Sequence, residues 1–201
     1  MNSRCGIPEA ADFDTPEYAT FSSVQRRKWE SDQGMDPYSY GYNRATPEGY
    51  FMNATTIVRN LVDIVSKNGN FLLDIGPRAD GSIVDVEAKN LELAGKWIHV
   101  HAEAIFNTTY WFVMPEVADQ AIRFTQTGDA FYIFFLEKPG PIIYVNAPLP
   151  LLYGDIVVVV GGIGDSPVRW EKAESGYTFH VPEWAWGEEE YCWVLKIVYI
   201  E

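Results

Sequence analysis

The stretch from Thr55 to Phe106 does most to narrow the folds open to this chain. Ile57, Leu61 and Ile64 recur beside Val58, Val62 and Val65, a spacing that predicts a helix with a broad apolar face, ended by Asn68-Gly69. Directly after it comes Phe71-Leu72-Leu73-Asp74-Ile75, closed by Gly76-Pro77, which reads as a strand buried on both faces. Asp80-Gly81 marks a turn and Asp85 is placed to cap a second helix. Leu91, Ala94, Trp97, Ile98 and Ile105 then keep helical spacing to about Phe106. Helix, strand, loop and helix in that order predict a parallel sheet covered by helices.

Past Tyr110 the pattern shortens. Ile122-Arg123-Phe124 and the run from Phe131 to Leu136 flank Thr127-Gly128-Asp129, a hairpin signal. Segments 142–145, 156–160, 177–181 and 193–200 are β-branched or aromatic, and Pro139-Gly140-Pro141 and Gly161-Gly162 punctuate them. This half reads as an antiparallel β-sandwich. The boundary is expected between residues 107 and 118, giving one domain over 1–111 and another over 112–201. The first 50 residues, rich in Pro, Gly, Tyr and acids, read as long loops carrying short strands, a common setting for functional side chains.

Charge and composition remove several function classes. The 28 acids exceed the 15 bases for a net charge of −13, so a surface that tracks nucleic-acid phosphates is not expected. No apolar run approaches the roughly 20 residues of a membrane-spanning helix. With 47% apolar and 21% charged residues the chain is expected to pack a core rather than stay disordered. Aromatics reach 15%, which suits both sugar-stacking clefts and dense sandwich cores. Cys5 and Cys192 form no CxxC or metal spacing. The residues after Met1 do not read as an export signal, whereas Asn53-Ala54-Thr55 and Asn107-Thr108-Thr109 are glycosylation sequons that matter only in a secretory pathway.

A series of motifs in the first half resembles the α-L-fucosidases of glycoside hydrolase family 29. They are Asn2-Ser3-Arg4-Cys5-Gly6, Asp12-Phe13-Asp14-Thr15-Pro16-Glu17-Tyr18, Lys28-Trp29-Glu30 and Ser39-Tyr40-Gly41-Tyr42-Asn43. The series continues through Leu61 to Pro77 and Asp80-Gly81-Ser82-Ile83, and Glu103-Ala104-Ile105-Phe106 to Trp111 is similar to the segment after the family's last barrel helix. The resemblance implies the second half of a (β/α)₈-like barrel followed by an antiparallel β-sandwich. It implies retaining hydrolysis of terminal α-L-fucose from fucosylated glycans, with no cofactor and no metal, in a secreted, lysosomal or vacuolar setting. It also implies that the nucleophilic Asp, and the early His and Trp residues that hold fucose, stand on segments with no counterpart here.

By the same resemblance Glu17 takes the general acid/base position. A retaining glycosidase needs two carboxyl groups about 5–5.5 Å apart, one attacking the anomeric carbon and one protonating the leaving oxygen. That position shifts among family branches, so Glu30 and Asp14 are rivals, and a solvated loop carboxylate is the plain alternative. Arg4 matches an arginine near the bound sugar, its fork suited to a hydroxyl or to an ionised nucleophile; a scaffold ion pair is its other use. Tyr40 matches an aromatic on the apolar side of fucose, with core packing as the alternative. Trp29 is placed beside the substrate, where with Glu30 it braces the cleft. Asp74 stands where the family often has Asn.

Other features carry no function. His99 and His101 are two apart on a helix and point in different directions, a poor metal pair. Gly161-Gly162-Ile163-Gly164 is followed by no helical pattern, so it does not read as a dinucleotide loop. Ser66-Lys67 lacks triad partners, and Glu188 to Glu190 reads as a solvated turn.

Overall fold

Trp29–Gly34 (β1) and Gly69–Asp74 (β2) lie side by side in parallel, in register from Trp29 opposite Gly69 to Gly34 opposite Asp74. Parallel neighbours need a crossover, and Ala54–Ser66 (α1) lies on it. A computed structural model of the chain describes residues 2–5, 10–164 and 167–200, the Cys5 side chain excepted. Its contacts divide the chain into two units, Met1–Trp97 and Ile98–Glu201.

In the first unit, isolated parallel bridges extend the pair: Asn2 with Phe13, Asp14 with Trp29, and Glu17 with Asp32. Four lengths of chain therefore run in one direction, an arc of parallel sheet of the kind the helix–strand alternation predicts. α1 starts where Asn53 Oδ1 accepts from the Thr56 backbone N–H at 2.9 Å. It ends at Lys67, with Asn68 in the left-handed region at φ 71°. Ile57, Val58, Val62 and Ile64 are its buried face. The cap uses Oδ1 of Asn53, the first residue of the sequon Asn53-Ala54-Thr55.

β2 departs from the expectation of a strand buried on both faces. Gly69, Phe71 and Leu73 are half-buried, while Asn70 and Leu72 are exposed, Leu72 at 41%. Asn70 and Leu72 share the more exposed face of the strand. On the covered face a Cβ at Gly69 would stand 2.5 Å from Trp29 Cε2 and 2.7 Å from Ile64 Cγ2. Gly69→Ala is therefore expected to destabilise the protein by about 1–3 kcal/mol, read as a lower urea midpoint at unchanged m-value.

Asp85–Val100 (α2) follows, and the division between units falls inside it. The single helix expected to about Phe106 is instead broken at His101, with φ −101° and ψ 17°, before the short Ala102–Ile105 (α3).

The second unit is built from two antiparallel sheets. The larger contains Thr109–Tyr110 (β3), Glu116–Val117 (β4), Ile122–Gln126 (β5), Ala130–Phe135 (β6), Ile156–Val159 (β8) and Trp193–Val198 (β11). Its order is β3-β5-β6-β11-β8, with β4 also on β5. Ile142–Val145 (β7), Arg169–Lys172 (β9) and Tyr177–His180 (β10) form the smaller, ordered β7-β10-β9. One apolar core draws on both sheets, including Phe124, Phe131 and Leu195 from the first and Ile143, Val145 and Phe179 from the second. That shared core makes the unit a sandwich. β5 and β6 form the expected hairpin, its turn closed by the Thr127 hydroxyl on Asp129 Oδ1 at 2.7 Å. β9 escapes sequence reading because it is a sheet edge whose Arg169, Glu171 and Lys172 are exposed, with no apolar alternation to detect.

Candidate active site

The parallel arc brings side chains from three of its lengths together. Arg4 sits in a 3-10 turn two residues beyond the bridge at Asn2, Glu17 is the last bridged residue of the next length, and Asp32 lies opposite Glu17 on β1. Arg4 Nη1 meets Glu17 Oε1 at 2.9 Å, Nη2 donates to Asp32 Oδ2, and Nε donates to Thr15 Oγ1 at 3.2 Å. Ser3 Oγ accepts the Thr15 backbone N–H at 3.1 Å, tying the two lengths behind the guanidinium. The planar fork thus holds two carboxylates from neighbouring strands, a geometry an ammonium does not reproduce. The hydrogen bond to Asp32, followed by the charge of Glu17, raises the Arg4 pKa, so its charge is permanent.

Tyr40 closes one side. Its hydroxyl donates to the Asp32 carbonyl at 3.0 Å, and the same carbonyl takes the Tyr18 backbone N–H at 2.8 Å. Burial, then the charges of Asp32 and Glu17, push the Tyr40 phenol up to about 12, so at neutral pH it stays a donor. Tyr18, in the left-handed region at φ 47°, lays its ring 4.7 Å from that of Tyr40 and donates its hydroxyl to the Asp36 carbonyl at 3.1 Å. A non-glycine residue in that region is uncommon and costs about 1 kcal/mol or more.

Of the residues singled out in sequence, Glu17, Arg4 and Tyr40 share this cluster. Trp29 does not join it: at 1% exposure it occupies the other face of β1, packed edge-on to Phe21, its indole N–H donating to the Lys67 carbonyl at 3.0 Å. Glu30 accepts from Asn70 Nδ2 at 2.6 Å, and Asp14 faces Arg27 at 3.7 Å. Asp74 ends β2, its carbonyl accepting from Met35 N–H at 3.0 Å; burial, then the Asp32 charge, raises its carboxyl pKa.

Sequence reading missed Asp32, Thr15 and Tyr18. The signal for Asp32 is strand alternation: Trp29, Ser31 and Gln33 are buried and Glu30 and Asp32 are not, so a strand read through 29–34 puts Asp32 on the face away from Trp29. His101 is fully buried, 3.4 Å from Glu189 Oε2, and His99 is exposed. Among the described residues no group of three or more His, Cys, Asp or Glu side chains is arranged to hold a metal ion. No helix among them is long and apolar enough to cross a membrane.

A second acidic group lies deeper. Glu87, in the first turn of α2, is 1% exposed; burial raises its pKa against the opposing pull of backbone N–H groups at Gly76 and Val84. A carboxyl whose folded pKa is raised binds its proton more tightly when folded, so its share of stability is complete below the unfolded value and is lost as pH rises through the folded one. Urea unfolding between about pH 4 and pH 7 is expected to show that loss, and Glu87→Gln is expected to flatten it.

Comparison with known proteins shows the family. The family described as Alpha-L-fucosidase matches residues 1–103. Tissue alpha-L-fucosidase of Homo sapiens is 30% identical over 179 residues, covering 87% of this chain and 38% of its own length. Plasma alpha-L-fucosidase of Rattus norvegicus is 28% identical, covering 79% and 37%. The solved Thermotoga maritima alpha-fucosidase in complex with fucose superposes with a TM-score of 0.83 at 30% identity, over 98% of this chain and 44% of that one. The chain therefore spans less than half the length of these relatives. Its two units correspond to part of a barrel and the β-sandwich that follows it. By the match over residues 1–103 and these superpositions, the chain belongs to the α-L-fucosidases of glycoside hydrolase family 29.

Proposed function

We propose that these residues form the C-terminal part of a retaining α-L-fucosidase that removes terminal fucose from fucosylated glycans. Glu17 is the general acid/base, and Arg4 and Tyr40 hold the sugar. Trp29 braces β1 from its far side. The observation that carries this reading is the Arg4 guanidinium gripping Glu17 and Asp32 near the C-terminal ends of adjacent parallel strands, where barrel enzymes assemble their chemistry. In the reaction the nucleophilic carboxylate attacks the anomeric carbon while Glu17 protonates the departing oxygen. Glu17 then takes a proton from the water that releases fucose.

On this reading the nucleophile stands on a barrel strand outside these 201 residues, which cover 38% of the length of the human relative. The more exposed face of β2, which carries Asn70 and Leu72, supports a barrel interior completed by further strands. On this reading residues 1–111 are the end of the catalytic barrel and 112–201 the sandwich, and the protein works in a secreted, lysosomal or vacuolar setting. The 201-residue chain alone is expected to leave an aryl α-L-fucoside intact, whereas the protein extended by the missing barrel strands releases α-fucose first, as seen by proton NMR. Hydrolysis by the 201 residues alone would overturn the external nucleophile.

A second reading, an inactive truncated relative acting as a carbohydrate-binding or interaction module through 112–201, is favoured only by the self-contained core of that half. It predicts heat on titrating fucosylated glycans into the chain that persists in Arg4→Ala and Tyr40→Ala.

A further inference from the structure

The loop between β1 and α1 is built more rigidly than a connector needs. Its base is closed by Met52 N–H on the Met35 carbonyl at 2.8 Å. Inside it Asp36, only 4% exposed, accepts the Tyr38 backbone N–H on Oδ1 at 2.8 Å and the Thr46 hydroxyl on Oδ2 at 2.7 Å. Asn43 Nδ2 donates to the same Thr46 hydroxyl at 2.8 Å. What this buried carboxylate holds directly is the backbone of Tyr38, whose ring meets that of Tyr50 in solvent. Tyr38 and Tyr50 are 65% and 58% exposed, with centroids 6.0 Å apart and planes at 42°. Ordering such rings in water gains nothing for the fold, but it removes an entropic cost from binding whatever covers them.

The loop leaves the C-terminal end of β1, and its Tyr38 is rooted at the acid: Tyr18, next to Glu17, donates to the carbonyl of Asp36, whose carboxylate fixes Tyr38. The loop follows the C-terminal end of β1, the same end at which Asp32 lies opposite Glu17, so it belongs to the rim on which barrel enzymes carry their substrate contacts. Rings with apolar faces and phenol hydroxyls at their edges match the C–H face and hydroxyl rim of a pyranose. We propose that Tyr38 and Tyr50 form the platform for the saccharide to which the fucose is attached, so that the protein recognises the sugar on the leaving side as well as the fucose. This deepens the fucosidase reading and rests on Glu17 as its acid.

Saturation-transfer NMR on the protein extended by the missing barrel strands, carrying Glu17→Gln to slow hydrolysis, with fucosyllactose as the probe tests it. The lactose protons are expected to receive saturation, and Tyr38→Ala and Tyr50→Ala each to lower it by about threefold or more while the fucose methyl signal persists. Tyr38→Phe, which keeps the ring, is expected to retain the signal, and amide dispersion checks that each variant is folded. Saturation of fucose but not lactose overturns the platform and leaves the fucosidase reading standing. Saturation of lactose but not fucose overturns Arg4 and Tyr40 as the fucose site and leaves the platform. No transfer to either from folded protein overturns both.

Discussion

In the extended, active protein, Glu17→Gln is expected to slow hydrolysis of a fucosylated saccharide by about 10²–10⁴-fold, the usual contribution of a positioned acid or base. The loss depends on the leaving group. A sugar alkoxide must be protonated as it departs; fluoride need not be, so fucosyl fluoride should still give a rapid burst of fluoride in the variant. The burst then stalls, because water attacking the glycosyl-enzyme has lost its base. Azide, a nucleophile that needs no base, should restore turnover and give fucosyl azide. Equal loss on both substrates without a burst would mean that Glu17 only supports Arg4. Applied to Glu30→Gln and Asp14→Asn, the same substrates separate the rivals. Glu30 bonded to Asn70 and Asp14 facing Arg27 are expected to show no such leaving-group dependence.

The largest expected effect on stability lies in the sandwich. Phe131 is fully buried on β6, with the Trp111 ring edge-on at 5.0 Å and the Phe124 ring at 5.5 Å. Phe131→Ala removes a ring from between these aromatics, and neighbours on paired strands cannot collapse into the space. The expected cost is about 3–5 kcal/mol. For a unit of this size that is a Tm drop of at least about 12 °C, measurable by calorimetry. A drop of only a few degrees would show that the core repacks around the gap.

How far the sequence carries is best judged at particular residues. α1 was legible because its apolar spacing, its Asn53 cap and its Asn68 stop all agree. The β5–β6 hairpin was legible because two apolar runs flank a turn triplet. β2 was misread on one face: continuous apolar residues describe the sequence, but burial also depends on what lies opposite, which the run itself does not encode. The break at His101 was invisible because helical periodicity continues across it. At the site, motif resemblance pointed to Glu17, Arg4 and Tyr40, whereas Asp32 needed strand register: its partner Arg4 lies 28 residues away, joined only once three parallel lengths are aligned.

The strand order of the larger sheet also bears on how the protein is made. β6, buried along its whole length, pairs on one side with β5, its neighbour in sequence, and on the other with β11. At about 5–20 residues per second, synthesis leaves seconds between the emergence of Phe135 and that of Trp193. Throughout that interval an aromatic strand, Phe131 to Phe135, offers an open hydrogen-bonding edge to any passing chain. The nascent protein is thus most vulnerable to aggregation just before its last strand arrives, and chaperone dependence should concentrate in that window.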